Sequence, residues 1–137
     1  MNVSTKTLGM TVTLHTDFET ARQRVIDGLK AEGFGVLTEI DVKDTLKKKL
    51  DVEFRPYRIL GACNPNLAHQ ALILVPEVGL LLPCNVTVAQ GEGDAVEVSI
   101  VDPQGMLGVV NNPALTPIAD AARDKLRRVA AALTEQG

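Results

Sequence analysis

Aromatic side chains are almost missing: 3% of residues, with one Tyr, three Phe and no Trp. A core built from this chain is therefore aliphatic, and stacking platforms for single-stranded nucleic acid are excluded. Thiols are as scarce. Cys63 and Cys84 are the two cysteines, too few for a disulfide scaffold and without the Cys-x-x-Cys spacing of a redox dithiol. Ser4 and Ser99 are the two serines and Gly-x-Ser-x-Gly is absent, so a serine hydrolase finds no support. The Gly-rich phosphate-cradling loops and the His-Glu-x-x-His zinc helix are also missing. No window of about 18 consecutive apolar residues occurs, so no transmembrane helix is expected. Met1–Gly9 is polar and lacks the apolar stretch of a signal peptide. The expected location is cytoplasmic.

What is present is a chain of 137 residues, 45% hydrophobic and 23% charged, the size of one compact domain with its own core. The net charge of −3 argues against a generally basic nucleic-acid binder. It also hides an asymmetry. Residues 59–122 contain Glu77, Glu92, Asp94, Glu97, Asp102 and Asp120 but no Lys or Arg. That stretch is at −6 and the remainder at +3, with Lys43, Lys47, Lys48 and Lys49 as the densest cluster. Such a split serves the pairing of two copies or the seating of an anion.

Spacing then predicts the elements. Residues 1–7 read as a flexible tail. Met10, Val12 and Leu14 alternate, predicting a strand over 8–14. A helix over 17–32 follows, with Thr16 and Glu19 as a capping box and Phe18, Ala21, Val25 and Leu29 as one stripe, closed by Gly33. Residues 34–42 alternate as a strand, 43–50 as a short helix, and 54–63 as a strand with Pro56 near its start. Asn64 caps a helix with Pro65 at its first position, running to Val75. Gly79–Gln90 reads as one long strand joined by a Gly91–Asp94 turn to a strand through Val96, Val98 and Ile100. Leu115, Ile118, Ala122, Leu126, Val129 and Leu133 mark a closing helix over 114–135. The expected fold class is α+β, two layers, with helices on one face of a mostly antiparallel sheet. Leu80, Leu81 and Leu82 would place aliphatic groups on both faces of their strand, so a second subunit or the short helices must cover the outer face. A homodimer is the preferred partner arrangement, with no nucleic acid and no membrane.

Two clusters carry chemistry. In the first, Cys63 lies where a strand hands over to a helix, a position that favours a thiolate. His69 follows on that helix, roughly 130° from the Leu67, Ala71 and Val75 stripe. Cys84-Asn85 repeats the Cys-Asn pair of Cys63-Asn64. Cys63 as nucleophile with His69 or a carboxylate as base, a soft-metal site of Cys63, His69 and Cys84 taking zinc or copper, and a redox pair of thiols all remain open. So does the plain alternative of two buried, inert cysteines. The second cluster is Lys43, Lys47, Arg55 and Arg58, with Tyr57; Lys43 and Lys47 with Arg55 would bind a carboxylate or phosphate, or else the lysines are solvated and balanced by Asp44, Asp51 and Glu53. Asn64 and Asn85 are candidates for lining a polar pocket, while Asn111 and Asn112 read as turn residues.

Several stretches are more specific: Asp41-Val42-Lys43-x-Thr45-Leu46-Lys47; Phe54-Arg55-Pro56-Tyr57-x-Ile59-Leu60-Gly61-Ala62-Cys63-Asn64-Pro65; Ala68-His69-x-Ala71-Leu72; Pro76 through Val86; and Val101-Asp102-Pro103-x-x-Met106. Together they resemble the domain of unknown function 302 family of small bacterial and archaeal proteins. The resemblance implies a two-layer β-α-β4-α fold and dimers, with the two short helices as insertions. It implies no reaction, substrate or cofactor. Functionally, a homodimeric binding module for a small molecule or soft metal leads. An enzyme using Cys63 as nucleophile or redox centre, and an interaction protein without a site, are the alternatives.

Overall fold

In the computed structural model, which describes residues 3–5 and 8–136, the alternating segments pair into one antiparallel sheet. The strands are β1 (Val3–Thr5), β2 (Gly9–His15), β3 (Gly35–Asp41), β4 (Tyr57–Cys63), β5 (Cys84–Gln90) and β6 (Ala95–Val101). Their order across the sheet is β1-β2-β6-β5-β4-β3. The helices are α1 (Phe18–Ala31), α2 (Val42–Leu50), α3 (Pro65–Leu74), α4 (Pro103–Gly108) and α5 (Thr116–Gln136). Without β1, α2, α3 and α4 the order is β-α-β4-α, and the fold is α+β.

Period two decides which side chains each strand gives to the helices. Val12 and Leu14 of β2, Leu60 and Ala62 of β4, Val86 and Val88 of β5, and Val96, Val98 and Ile100 of β6 are all buried on one face. Ala21, Val25 and Leu29 of α1 and Leu126, Val129 and Leu133 of α5 close over them. Each Val, Leu or Ile among them contributes roughly 1.5–3 kcal/mol on burial. The expected helix stripes are the buried ones, and Gly33 ends α1 with a positive φ of 84°. A second cluster joins α3, α4 and the start of α5 through Ala71, Val78, Leu107, Leu115 and Ile118.

Several expectations are corrected. Val3–Thr5, expected within a tail, pairs with β2 as a three-residue edge strand because Val3 packs on the main core; Met1, Asn2, Lys6 and Thr7 of that tail lie outside the described residues. The cap of α1 is Asp17, not Thr16: its carboxylate accepts from the Thr20 amide at 2.9 Å and from the Thr20 hydroxyl. The long strand over 79–90 does not form. Pro76 starts a 3-10 turn through Leu81, and the strand begins only at Cys84, after a cis Leu82–Pro83 peptide. Leu81 and Leu82 therefore pack into the second cluster while Leu80 stands 85% exposed. Leu80–Leu82 consequently do not load the two faces of a strand. Beyond the end of β6 at Val101, residues 103–108 form α4, capped by the Asp102 carboxylate on the Gln104 amide at 3.0 Å.

In β3 the alternation breaks at Leu37, a bulge between Val36 and Thr38. A bulge moves the residues beyond it to the opposite face. Glu39 thus lies across from Leu60 on the helix side, and Ile40, which alternation placed inside, is 48% exposed. Glu39 survives there because Arg22 of α1 and Arg58 of β4 hold its carboxylate at 2.5 and 2.6 Å.

Candidate functional site

The side of the sheet away from α1 and α5 carries the other half of each alternation. Thr11, Ser99, Thr87, Asn85 and Tyr57 lie on it, with Glu97, and the Thr11 and Ser99 hydroxyls hydrogen-bond at 3.1 Å. These six side chains, with Leu8, Gly9 and Val101 at one end, line an open groove of about 800 Å³. Gly61 lies opposite Asn85. The Tyr57 ring is oriented by Phe54, 6.1 Å away between centroids. Four hydroxyls, one amide and one carboxylate make a surface that hydrogen-bonds in both directions and bears no positive charge.

The second hollow lies on the helix side, where the end of β4, the start of β5, α3, α4 and α5 meet. Cys63, Cys84 and Met106 are on its wall, beside Asn64, Leu67 and Ile118. Its volume is about 40 Å³, enough for a water or an ion but not for a metabolite. Cys63 is half-buried and Cys84 buried, and both are free thiols. Burial pushes the Cys84 thiol up to about 11, with the negative charge available on neighbouring Cys63 adding to the rise. Asn64 is occupied as the cap of α3, its side-chain oxygen accepting from the Leu67 amide at 3.2 Å.

The expected three-residue metal set of Cys63, His69 and Cys84 is not assembled. Leu67, Ala68 and Ala71 face the cavity from α3, and His69, about 100° per residue around the helix, stands exposed outside it. Among the described residues no group of three or more His, Cys, Asp or Glu is arranged to hold an ion. The same geometry leaves Cys63 without His69 as a base. The other imidazole, His15, pairs instead with Asp94 at 3.0 Å across the strand ends, both largely exposed.

The basic cluster is balanced by its own neighbours. Lys43 donates to the Phe54 carbonyl at 2.9 Å and faces Glu53 at 3.8 Å. Lys47 bridges Asp51 at 2.9 Å and Glu53 at 3.0 Å, and Lys48 pairs with Asp44 at 2.9 Å. The Arg55 guanidinium sits 5.9 Å over the Phe54 ring. Of the expected ligand-binding residues, Tyr57 and Asn85 meet in the groove, while Lys43, Lys47, Arg55 and Asn64 do not line it. Thr11, Thr87, Glu97 and Ser99 were missed, because outward polar residues on a strand look like ordinary solvated positions until the strands are aligned. A third hollow of about 420 Å³, between α4 and the start of α5, involves Asn111 and Asn112; both are turn residues as expected, Asn111 at φ 57° and Asn112 capping the next turn.

No helix among the described residues is long and apolar enough to cross a membrane. Comparison with curated proteins gives no significant match. The family model described as domain of unknown function DUF302 matches residues 10–133. A solved structure, the crystal structure of an uncharacterized conserved protein DUF302 from Bacillus stearothermophilus, superimposes with a TM-score of 0.81 at 34% identity, covering 94% of this chain and 98% of that one. With its profile matched from β2 to the last turns of α5, and its fold shared nearly end to end, the chain belongs to the domain of unknown function 302 family.

Proposed function

We propose that this protein is a homodimeric binding module, and that its ligand is a small polar molecule, neutral or cationic, seated in the groove on the outer face of the sheet. The observation that carries this reading is the groove's lining: Thr11, Tyr57, Asn85, Thr87 and Ser99 offer hydrogen bonds around a single carboxylate, Glu97. Anionic ligands are disfavoured there. Residues 59–122 supply β5 and β6 and contain no Lys or Arg, and Lys43, Lys47 and Lys48 of α2 are engaged with Asp44, Asp51 and Glu53. A small amine bearing hydroxyl groups matches both the charge and the hydrogen-bonding capacity.

Binding is favoured over catalysis because none of the described polar or charged side chains is buried. A general acid or base desolvated for its task therefore has no place here. A second copy is the partner we assign to the exposed apolar residues Ile73, Leu74 and Leu80, exposed by 67%, 45% and 85%, since large exposed apolar surface marks an interaction site.

The test is a backbone amide NMR titration with glucosamine, run in parallel with glucosamine 6-phosphate. Glucosamine is expected to shift the amides of Asn85, Thr87, Glu97 and Ser99, and its phosphate ester to bind more weakly. Shifts confined elsewhere, or stronger binding of the ester, overturn the reading. Sedimentation equilibrium checks the pairing: Leu80→Glu should shift a dimer to monomer, and a monomeric unsubstituted protein rejects the dimer.

A further inference from the structure

Tyr57 of β4 and Glu97 of β6 both lie opposite Ala89 of β5, so one rung of the sheet carries an aromatic ring and a carboxylate on either side of a methyl group. Taking the outer groove as the ligand site, we propose that this end of it seats an N-methylated ammonium head. Tyr57 and Glu97 bind the head, and the hydroxyl-lined rung beside them holds the rest of the molecule.

Register places the two side chains together. Directly paired residues share a face, and Tyr57 and Glu97 both line the groove. Adjacent strands stand about 4.8 Å apart, so the backbones of β4 and β6 are roughly 10 Å apart with β5 between them. A cation held midway lies inside the ~6 Å over which a ring face attracts it. Ala89 is 5% exposed although it lies on the face away from α1 and α5, so neighbouring side chains close over its methyl. The Glu97 carboxylate leans onto the end of β5: its Oε1 lies 3.7 Å from the point a Cβ on Gly91 would occupy. From the other side, Phe54 packs against the Tyr57 ring at an interplanar angle of 54°.

The chemistry of this pair selects the head group. Among the described residues no cation forms an ion pair with Glu97. Arg55 is held over the Phe54 ring at 5.9 Å, and Arg58 is on the opposite face with Glu39, so the Glu97 charge is available to a ligand. A primary ammonium brings three N–H donors, whereas the acceptors at this end are the Glu97 carboxylate and the Tyr57 hydroxyl. N-methyl groups carry no donor to satisfy and present a diffuse positive charge to the ring, the setting in which aromatic faces bind quaternary ammonium ions. The next rung, Thr87 and Ser99 with Thr11, lies two residues along, roughly 7 Å away. Its hydroxyls meet a ligand hydroxyl joined to the head by a short carbon spacer.

Amide NMR titrations with choline, with its uncharged carbon isostere dimethylbutanol and with ethanolamine test the assignment, beside the glucosamine titration. Choline is expected to shift the Ala89 and Glu97 amides and to bind about tenfold more tightly than dimethylbutanol, the combined size of one cation–π contact and one exposed ion pair. Ethanolamine should bind more weakly than choline. Tyr57→Leu and Glu97→Gln should each weaken choline by about threefold, while Tyr57→Phe, which keeps the ring, should bind it as the unsubstituted protein does. Equal binding of choline and dimethylbutanol, tighter binding of ethanolamine, or undiminished choline binding in Tyr57→Leu overturns the ammonium seat. Glucosamine shifts without choline shifts overturn it and leave the groove as the ligand site; absence of both removes the groove as well.

Discussion

Cys63 ends β4 and Cys84 begins β5, and both residues line the same cavity at adjacent strand ends. Ala62 is the residue directly across from Cys84, so the two cysteines are offset by one position in the ladder. One is half-buried at the rim and the other buried, which makes them chemically unequal.

Alkylation of the folded protein therefore separates two classes of thiol. Cys63 should react readily, while Cys84, whose thiol burial pushes up to about 11, should react only as fast as the surrounding structure opens, because the thiolate is the nucleophile. Mass spectrometry of peptides after a timed iodoacetamide pulse checks this. In Cys63→Ser the fast phase should vanish, and fast labelling of Cys84 in that variant would contradict the burial.

Glu39 predicts a loss of stability in acid. Hydrogen bonds from Arg22, and then from Arg58, lower its carboxyl from 4.5 to about 2 against the opposing effect of burial. The folded value lies below the unfolded one, so the contribution is fully present above about pH 4.5 and is lost as the pH falls toward 2. Its size is about 1–2 kcal/mol, less than the full linkage value, since part of the group stays in water. Urea unfolding at pH 6 and pH 3 measures it: Glu39→Gln should lower stability at pH 6 and flatten the pH dependence between the two.

Gly61 predicts a packing limit. A methyl group there would overlap the Thr38 hydroxyl and come within 2.7 Å of Pro83 Cγ. Both neighbours are fixed, one by the β3–β4 ladder beside the bulge and the other by the turn into β5. Gly61→Ala should cost about 1–3 kcal/mol by overpacking, visible as a lower midpoint in thermal unfolding. Gly35→Ala meets nothing within 4 Å and should change the midpoint little.

The correspondence between spacing and structure is closest where an element is set by local period. The Leu115, Ile118, Ala122, Leu126, Val129 and Leu133 seam is buried from the turn before α5 through the helix, because a 3.6-residue repeat must face one way whatever it packs against. Asn64-Pro65 starts α3 as its chemistry dictates, with the side chain on the Leu67 amide. Local rules mislead where two of them compete. Thr16 and Asp17 both suit a helix cap, and Asp17 takes the position. In the 79–90 segment alternation suggested a strand through Pro83, but Pro76 and the second core cluster draw Val78, Leu81 and Leu82 into a turn.

By itself, then, the order of residues determined an α+β fold with an aliphatic core, two long amphipathic helices and its family. Those properties follow from composition and from periods of two and 3.6, which act within a few residues. The tertiary structure alone decided that Glu39 turns inward after a bulge, that Cys63 and Cys84 share a cavity without His69, and that Tyr57, Asn85, Thr87, Glu97 and Ser99 form one groove. Each of these depends on register between strands distant in sequence, where a shift of one position moves a side chain to the other face of the sheet.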